Sequence, residues 1–327
     1  LDTFWNLTDG GLDIEEDSLF YEIFSKSGSG EINNSLWHRH PANPILRPTP
    51  GTWAGEWIAN ETIIQVGDEY LMYLDGKSGP VEKIGVARVK VTAFDGLHWE
   101  EYPGNPVLDI GPGGYDHTSV LDPSVLWFQD KLWMYYTGLG GPPDRICLAL
   151  SADGYHWEKH TDNPVLNGRC PHVVLKAGVF YLFYLVYNED GGYDVRLATS
   201  MDGLHFERHA KKPILPRDRE GAWDWFSVVT TRIFEENGLY QMVYAGDNER
   251  VDEPRGFGLA ISTDLVNWEK HPGNPIFLPG EAGSWDSEAI WCPWVMKRGQ
   301  QYWMWYCGSR TTYSQGLTPQ TGLARLG

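Results

Sequence analysis

Cationic residues are scarce in this chain: 26 Lys and Arg stand against 44 Asp and Glu, for a formal net charge of -18. A nucleic-acid partner is not expected, because no Lys/Arg cluster is present to neutralise phosphates and release counterions. Long apolar runs are missing too. No stretch approaches the roughly 18 to 20 apolar residues of a helical membrane span, so no membrane partner is expected. Cysteine is sparse, at Cys147, Cys170, Cys292 and Cys307, without the CxxC or Cys/His spacing of a metal site. Cys292 and Cys307 fall on opposite arms of one predicted hairpin, where either a disulfide or two small buried thiols would fit. The chain begins at Leu1 rather than Met. A removed secretion signal or simple trimming would account for that; a secreted or periplasmic protein is the expectation, with the cytoplasm as the alternative. Nothing in the sequence bears on oligomeric state.

Aromatic residues, by contrast, are abundant, with 16 Trp and 17 Tyr. Such side chains anchor repeated β-packing or form flat platforms for ligands with apolar faces, such as sugars. The run from Leu121 to Tyr136 shows the unit they belong to. Two arms rich in Val, Leu, Trp, Met and Tyr are broken by Gln129-Asp130, as a hairpin turn would break them. Related hairpins recur at 58–74, 170–186, 228–245 and 290–307, each followed by a shorter strand, at 84–89, 146–151, 195–200, 256–262 and 321–326.

A second phrase sets the period. Trp99, Trp157, Phe206 and Trp268 each follow an Asp-Gly-type turn and precede a proline step; Pro44, Pro106, Pro164, Pro213 and Pro275 lie 62, 58, 49 and 62 residues apart. Four short strands in each unit of roughly 50 to 60 residues predict an all-β, five-bladed β-propeller over residues 36–327, preceded by an N-terminal extension, 1–35. The fifth unit lacks a fourth strand at its end, whereas Trp37 and Asn43-Pro44-Ile45-Leu46 supply one at the beginning. The N-terminal strand is therefore expected to complete the last blade and leave no open sheet edge.

The stretches 48–57, 76–83, 109–119, 138–145, 216–227, 246–255, 279–289 and 308–320 read as long loops gathered on one face, which makes that face the place to seek a site. Aligning the hairpins puts Asn60, Asp122, Cys170, Thr230 and Cys292 at one position, with Glu56, Thr118, Phe226 and Glu288 four residues earlier. Four is an even step, so in a regular strand Glu56, Asp122 and Glu288 would point to the same side. Carboxylates crowded on apolar walls raise one another's pKa, giving the protonated and ionised pair that glycoside hydrolysis uses. Asp116, Asp224 and Asp286 also recur and read as loop braces. Trp57, Trp225 and Trp291 are candidate stacking faces or core residues, and His117, Arg169, His172 and Arg232 candidate ligands of sugar hydroxyls. Asp75, Asp247, Glu249 and Arg310 form a second tier. No cofactor is required by any spacing; a cation on the axis, held through His117 or His172, is an open alternative.

The Asp122-Pro123-Ser124-Val125 opening, the Lys131-Leu132-Trp133-Met134-Tyr135-Tyr136 arm and the Asn163-Pro164-Val165-Leu166 type of ending resemble the five-bladed propeller glycosidases. These are the arabinanase, β-xylosidase, invertase and anhydrogalactosidase-like families (families 43, 32 and 117), with the mannoside phosphorylases as more distant look-alikes. The resemblance implies acids at the starts of the first strands of blades 1, 2 and 3, and Asp122-Pro123 matches the blade-2 position, whose carboxylate tunes the acid. Blade 1 departs with Asn60-Glu61 in place of Asp-Pro, and blade 3 with Arg169-Cys170-Pro171 in place of Glu-Cys-Pro. The replacements expected are Glu288 as acid and Glu56 as base, or the reverse, with Asp122 in support and Glu61 in reserve. The expected activity is cleavage of a terminal glycosidic bond of an oligo- or polysaccharide, with inversion. The alternatives are a phosphorylase, which would converge Arg169, Arg232 or Arg310 on the sugar, and a non-catalytic sugar-binding propeller.

Overall fold

The computed structural model describes residues 18, 19, 21, 23, 36–210, 212–249 and 253–326, the side chains of Asn60 and Glu61 excepted. Five antiparallel sheets account for almost all of the regular structure among them. Blade 1 comprises Trp57–Val66, Glu69–Ser78, Val81–Lys90 and Glu100–Glu101, and blade 2 comprises Ser119–Phe128, Lys131–Leu139, Arg145–Ser151 and Glu158–Lys159. Blade 3 follows with Arg169–Lys176, Val179–Tyr187, Tyr193–Ser200 and Glu207–Arg208, and blade 4 with Ser227–Glu236, Leu239–Asp247, Gly256–Ser262 and Glu269–Lys270. Blade 5 takes Ala289–Arg298, Gln301–Ser309 and Gln320–Leu326 from the end of the chain and Trp37–Arg39 from its beginning, with Trp37 opposite Leu326. The protein is a five-bladed β-propeller whose last sheet is closed by the N-terminal strand.

The repeated asparagine has a backbone role. Asn105 accepts from the Val86 amide at 2.8 Å and donates to the Val86 carbonyl at 2.9 Å, so its side chain pairs with the third strand as another peptide would. Asn43, Asn163 and Asn274 do the same at Leu323, Leu148 and Leu259. The Asp-Gly turns carry a second device: the Ser151 hydroxyl accepts from the amide of Gly154, and Asp153 accepts from the amides of Tyr155 and His156. These bonds hold the turn that the neighbouring blade grips, since Tyr73 donates to the Gly154 carbonyl, Tyr135 to that of Gly203 and Trp305 to that of Gly96. The last of these ties blade 5 to blade 1. Each such bond contributes on the order of 1 kcal/mol, and its buried carbonyl would cost more than that if left unpaired.

Bulges interrupt the regular first strands. Every first strand shifts register in its middle, between Asn60 and Thr62, Leu121 and Ser124, Arg169 and His172, Val229 and Arg232, and Trp291 and Trp294. Asp122, Cys170, Thr230 and Cys292 occupy these bulges with φ of 55°, 48°, 44° and 52°, a left-handed backbone that ordinary residues seldom adopt. The even-step argument, which presumes an uninterrupted strand, therefore fails at this point. The stretch 76–83, expected to be a long loop, is instead a hairpin, with Lys77 directly opposite Glu82.

The extension is anchored at two points among its described residues. Leu19 and Ile23 are buried in the same apolar cluster as Tyr240, Tyr302 and Val295.

Candidate active site

The bulges open onto one cavity of about 500 Å³ on the propeller axis, lined from every blade: Ala59, Asp122, Cys170, Thr230 and Cys292 all border it. Four of these are the left-handed residues, so the strained turn in each first strand is what delivers its residue to the cavity wall. Trp57 and Trp291 supply apolar surface and pack with Ala59, Cys292 and Cys307. Tyr313 and Leu317, from the loop after Ser309, border it as well. All four cysteines are buried thiols outside any disulfide, which decides between the two arrangements open for Cys292 and Cys307.

Asp122 is 7% exposed. Its amide donates to both carboxylate oxygens of Asp75, at 3.0 and 2.9 Å, and its own Oδ2 accepts from the Cys170 amide at 3.3 Å. The Thr137 hydroxyl shares that Cys170 donor at 2.9 Å. Asp75 thus clamps the bulge from blade 1 while itself lining the cavity. Glu82, half-buried on the third strand of blade 1, also faces the cavity. Burial lifts its pKa above the ordinary carboxyl range; Lys77 pulls it down, the charge of Asp122 adds to the rise, and Arg169 and a bond to the Ser119 hydroxyl oppose it. Lys77 and Arg169 are the cations of the lining, the latter donating to the Tyr193 hydroxyl at 3.1 Å.

The structure therefore brings together Glu56, Trp57, Asp75, Asp122, Arg169 and Trp291 of the residues singled out in the sequence. Glu56 stands at the exposed rim, accepting from the Gly79 amide at 2.8 Å. Glu288 does not line the cavity; its carboxylate lies 3.5 Å from Arg255 instead. His117 is exposed, with Nδ1 2.8 Å from the Gly114 carbonyl oxygen. His172 and Arg232 lie past the bulge, buried in the axis rather than facing the cavity; His172 Nε2 accepts from the Ile233 amide at 2.9 Å. Burial and the Arg232 charge push the pKa of His172 down to about 3. Trp225 donates to the Asn248 carbonyl at 2.7 Å and also stands away from the cavity. The side chain of Glu61 lies outside the described residues. Of the second tier, Asp247 is buried and accepts from the amides of Glu249 and Glu253, bracing its own loop.

Glu82 and Lys77 escape the sequence reading because the hairpin holding them reads as a loop; the Gly79-Pro80 turn dipeptide between its two arms is the available signal. No group of three or more His, Cys, Asp or Glu among the described residues is arranged to hold a metal ion.

A glycoside hydrolase structure superposes with a TM-score of 0.69 at 18% identity, over 89% of this chain and 92% of the other. The fold is that of the five-bladed glycoside-hydrolase propellers. This propeller is also similar to the β-1,2-mannobiose phosphorylase of Listeria innocua, with a TM-score of 0.69 at 16% identity over 88% of this chain and 96% of that one. In sequence, it is 28% identical to the uncharacterized protein Rv1502 of Mycobacterium tuberculosis over 254 residues, 68% of this chain and 77% of the relative. A β-1,2-mannobiose phosphorylase of Thermoanaerobacter sp. is 29% identical over 135 residues, 36% of this chain and 43% of the relative. No protein-family model matches the propeller. Its similarity thus runs to carbohydrate-active enzymes of both kinds, hydrolases and phosphorylases.

Proposed function

We propose that this propeller cleaves a terminal glycosidic bond of an oligosaccharide or polysaccharide in the axial cavity, with water as the acceptor. The observation that carries the reading is the grouping of Asp75, Glu82 and Asp122 beside the apolar faces of Trp57 and Trp291. Glycosidic cleavage calls for a carboxylic acid that keeps its proton near neutrality and a carboxylate that stays ionised. Glu82 is the group whose surroundings favour the protonated form, and it takes the role of acid from Glu288. Asp122, held by its own amide on Asp75, is the carboxylate that orients the attacking water or steadies positive charge at the anomeric carbon. Glu56 at the rim contacts the leaving portion.

A second reading has inorganic phosphate in place of water, and one observation favours it: Lys77 and Arg169 both line the cavity. Of the three arginines that this reading relies on, Arg169 is the one positioned there, since Arg232 is buried behind the bulge and Arg310 lines a neighbouring crevice. A panel of nitrophenyl glycosides and oligosaccharides, assayed with and without phosphate, separates the two. Turnover independent of phosphate, lost in Asp122→Asn, supports hydrolysis; strict dependence on phosphate supports phosphorolysis; sugar binding without turnover in the unmodified protein overturns both.

A further inference from the structure

A second crevice of about 520 Å³ adjoins the axial cavity, and Glu56 lines both. Its other walls include Arg47, Arg310, Asn43, Trp285 and Gln320. Arg47 directly follows the returned N-terminal strand segment, where Leu46 bridges to Thr321, and Arg310 directly follows the second strand of blade 5. Both arginines are exposed, and neither has an ion-pair or hydrogen-bond partner among the described residues. Arg39, Arg196, Arg217 and Arg255, in contrast, are engaged by carboxylates.

In a chain of net charge -18, two guanidinium groups open in one hollow outnumber the single carboxylate of its lining, Glu56, and leave a local positive site. Each presents a planar fork of donors that matches an oxyanion. The backbone under Arg310 is braced: Ser309 Oγ donates to the Thr311 carbonyl and accepts from the Thr318 amide, and Thr311 Oγ1 donates to the Gly316 carbonyl. Trp285 is fixed as well, its ring 5.3 Å from that of Tyr306. The crevice thus joins two open guanidinium groups to an aromatic wall, an arrangement suited to a sugar bearing a negative charge.

We propose that this crevice binds a uronate, its carboxylate received by Arg47 and Arg310, as the sugar unit next to the bond held in the axial cavity. The adjacency to a reacting bond rests on the carbohydrate reading of that cavity; the recognition of the anion does not.

Calorimetric titration of the intact protein tests it, with D-glucuronate, D-galacturonate and D-mannuronate, their methyl esters and inorganic phosphate as probes. At least one uronate binds, its methyl ester binds at least tenfold more weakly, and affinity falls with added salt. The Arg47→Gln/Arg310→Gln variant loses at least tenfold in affinity, whereas Arg219→Gln, at an exposed arginine elsewhere, does not. The single variants Arg47→Gln and Arg310→Gln serve if the double variant does not fold. Equal binding of acid and ester, unchanged affinity in the variants, no uronate binding, or binding of phosphate alone overturns the proposal. Because the titration needs no turnover, it succeeds or fails apart from the glycosidase reading.

Discussion

Arg39 Nε lies 2.7 Å from Asp286 Oδ2 across 247 residues of chain. Asp286 is fully buried and also accepts from the Tyr306 hydroxyl at 2.8 Å. Asp116 is held in the same way by Lys159 and Tyr136 in blade 2, and Asp224 by Lys270 and Tyr244 in blade 4. Arg39, Lys159 and Lys270 each stand two residues after the tryptophan of a fourth strand. The N-terminal strand therefore brings to blade 5 the cation that blades 2 and 4 take from their own sequence.

Arg39→Ala should destabilise the propeller by about 3 kcal/mol, the low end of the cost of stripping a partner from a buried charge. Asp286→Asn in the same chain should restore part of that, because the stranded charge is removed. Urea unfolding of the single and double variants measures both, and equal stability of Arg39→Ala and the parent would count against the brace.

Glu82 as the acid fixes the alkaline limb of the pH profile. Activity should fall as Glu82 loses its proton, at a pH above the usual carboxyl value of about 4.3. Lys77 lowers this pKa, so Lys77→Met should move the limb to higher pH. Glu82→Gln should reduce turnover by about 10² or more and abolish the limb. A limb that stays in place or moves down in Lys77→Met would remove Glu82 from the role.

Glu288→Gln should leave kcat within a few-fold of the parent, because the side chain faces Arg255 rather than the cavity. Asp122→Asn should cost about 10² to 10⁴. Side-by-side kinetics on one glycoside decide between the two carboxylates, and the opposite ranking would return the acid to Glu288.

His172 should make stability fall on acidification. An unfolded chain protonates this imidazole near pH 6.5, whereas the folded protein resists until about 3. Below about 6.5 the unfolded state binds the extra proton, so folding free energy drops as pH falls through that window, by on the order of 1.4 kcal/mol per pH unit at most. Urea midpoints between pH 7 and 4 should show a shallower slope in His172→Asn, and identical slopes would show that His172 titrates normally.

The repeats were legible because they are local. Apolar strands, an Asp-Gly-type turn and, in four of the five units, an asparagine that pairs with the backbone of its neighbour are written within roughly 50 to 60 residues, and five such units imply a closed ring. Closure by the N-terminal strand was legible too, since Trp37 and Asn43-Pro44 keep the spacing of a fourth strand and its proline step. Asp122 stood out as a carboxylate at a position otherwise filled by Asn, Cys or Thr. The direction of side chains was a different matter. A left-handed residue in the first strand turns Asp122 into the cavity and leaves Glu288 outside it, and whether a non-glycine residue adopts that backbone depends on partners such as Asp75, 47 residues away. Glu82 entered the site only through its pairing with Lys77 and the burial supplied by neighbouring blades. Sequence determined the number of blades and how they close; long-range packing and burial decided which carboxylates meet and that the pKa of Glu82 is raised.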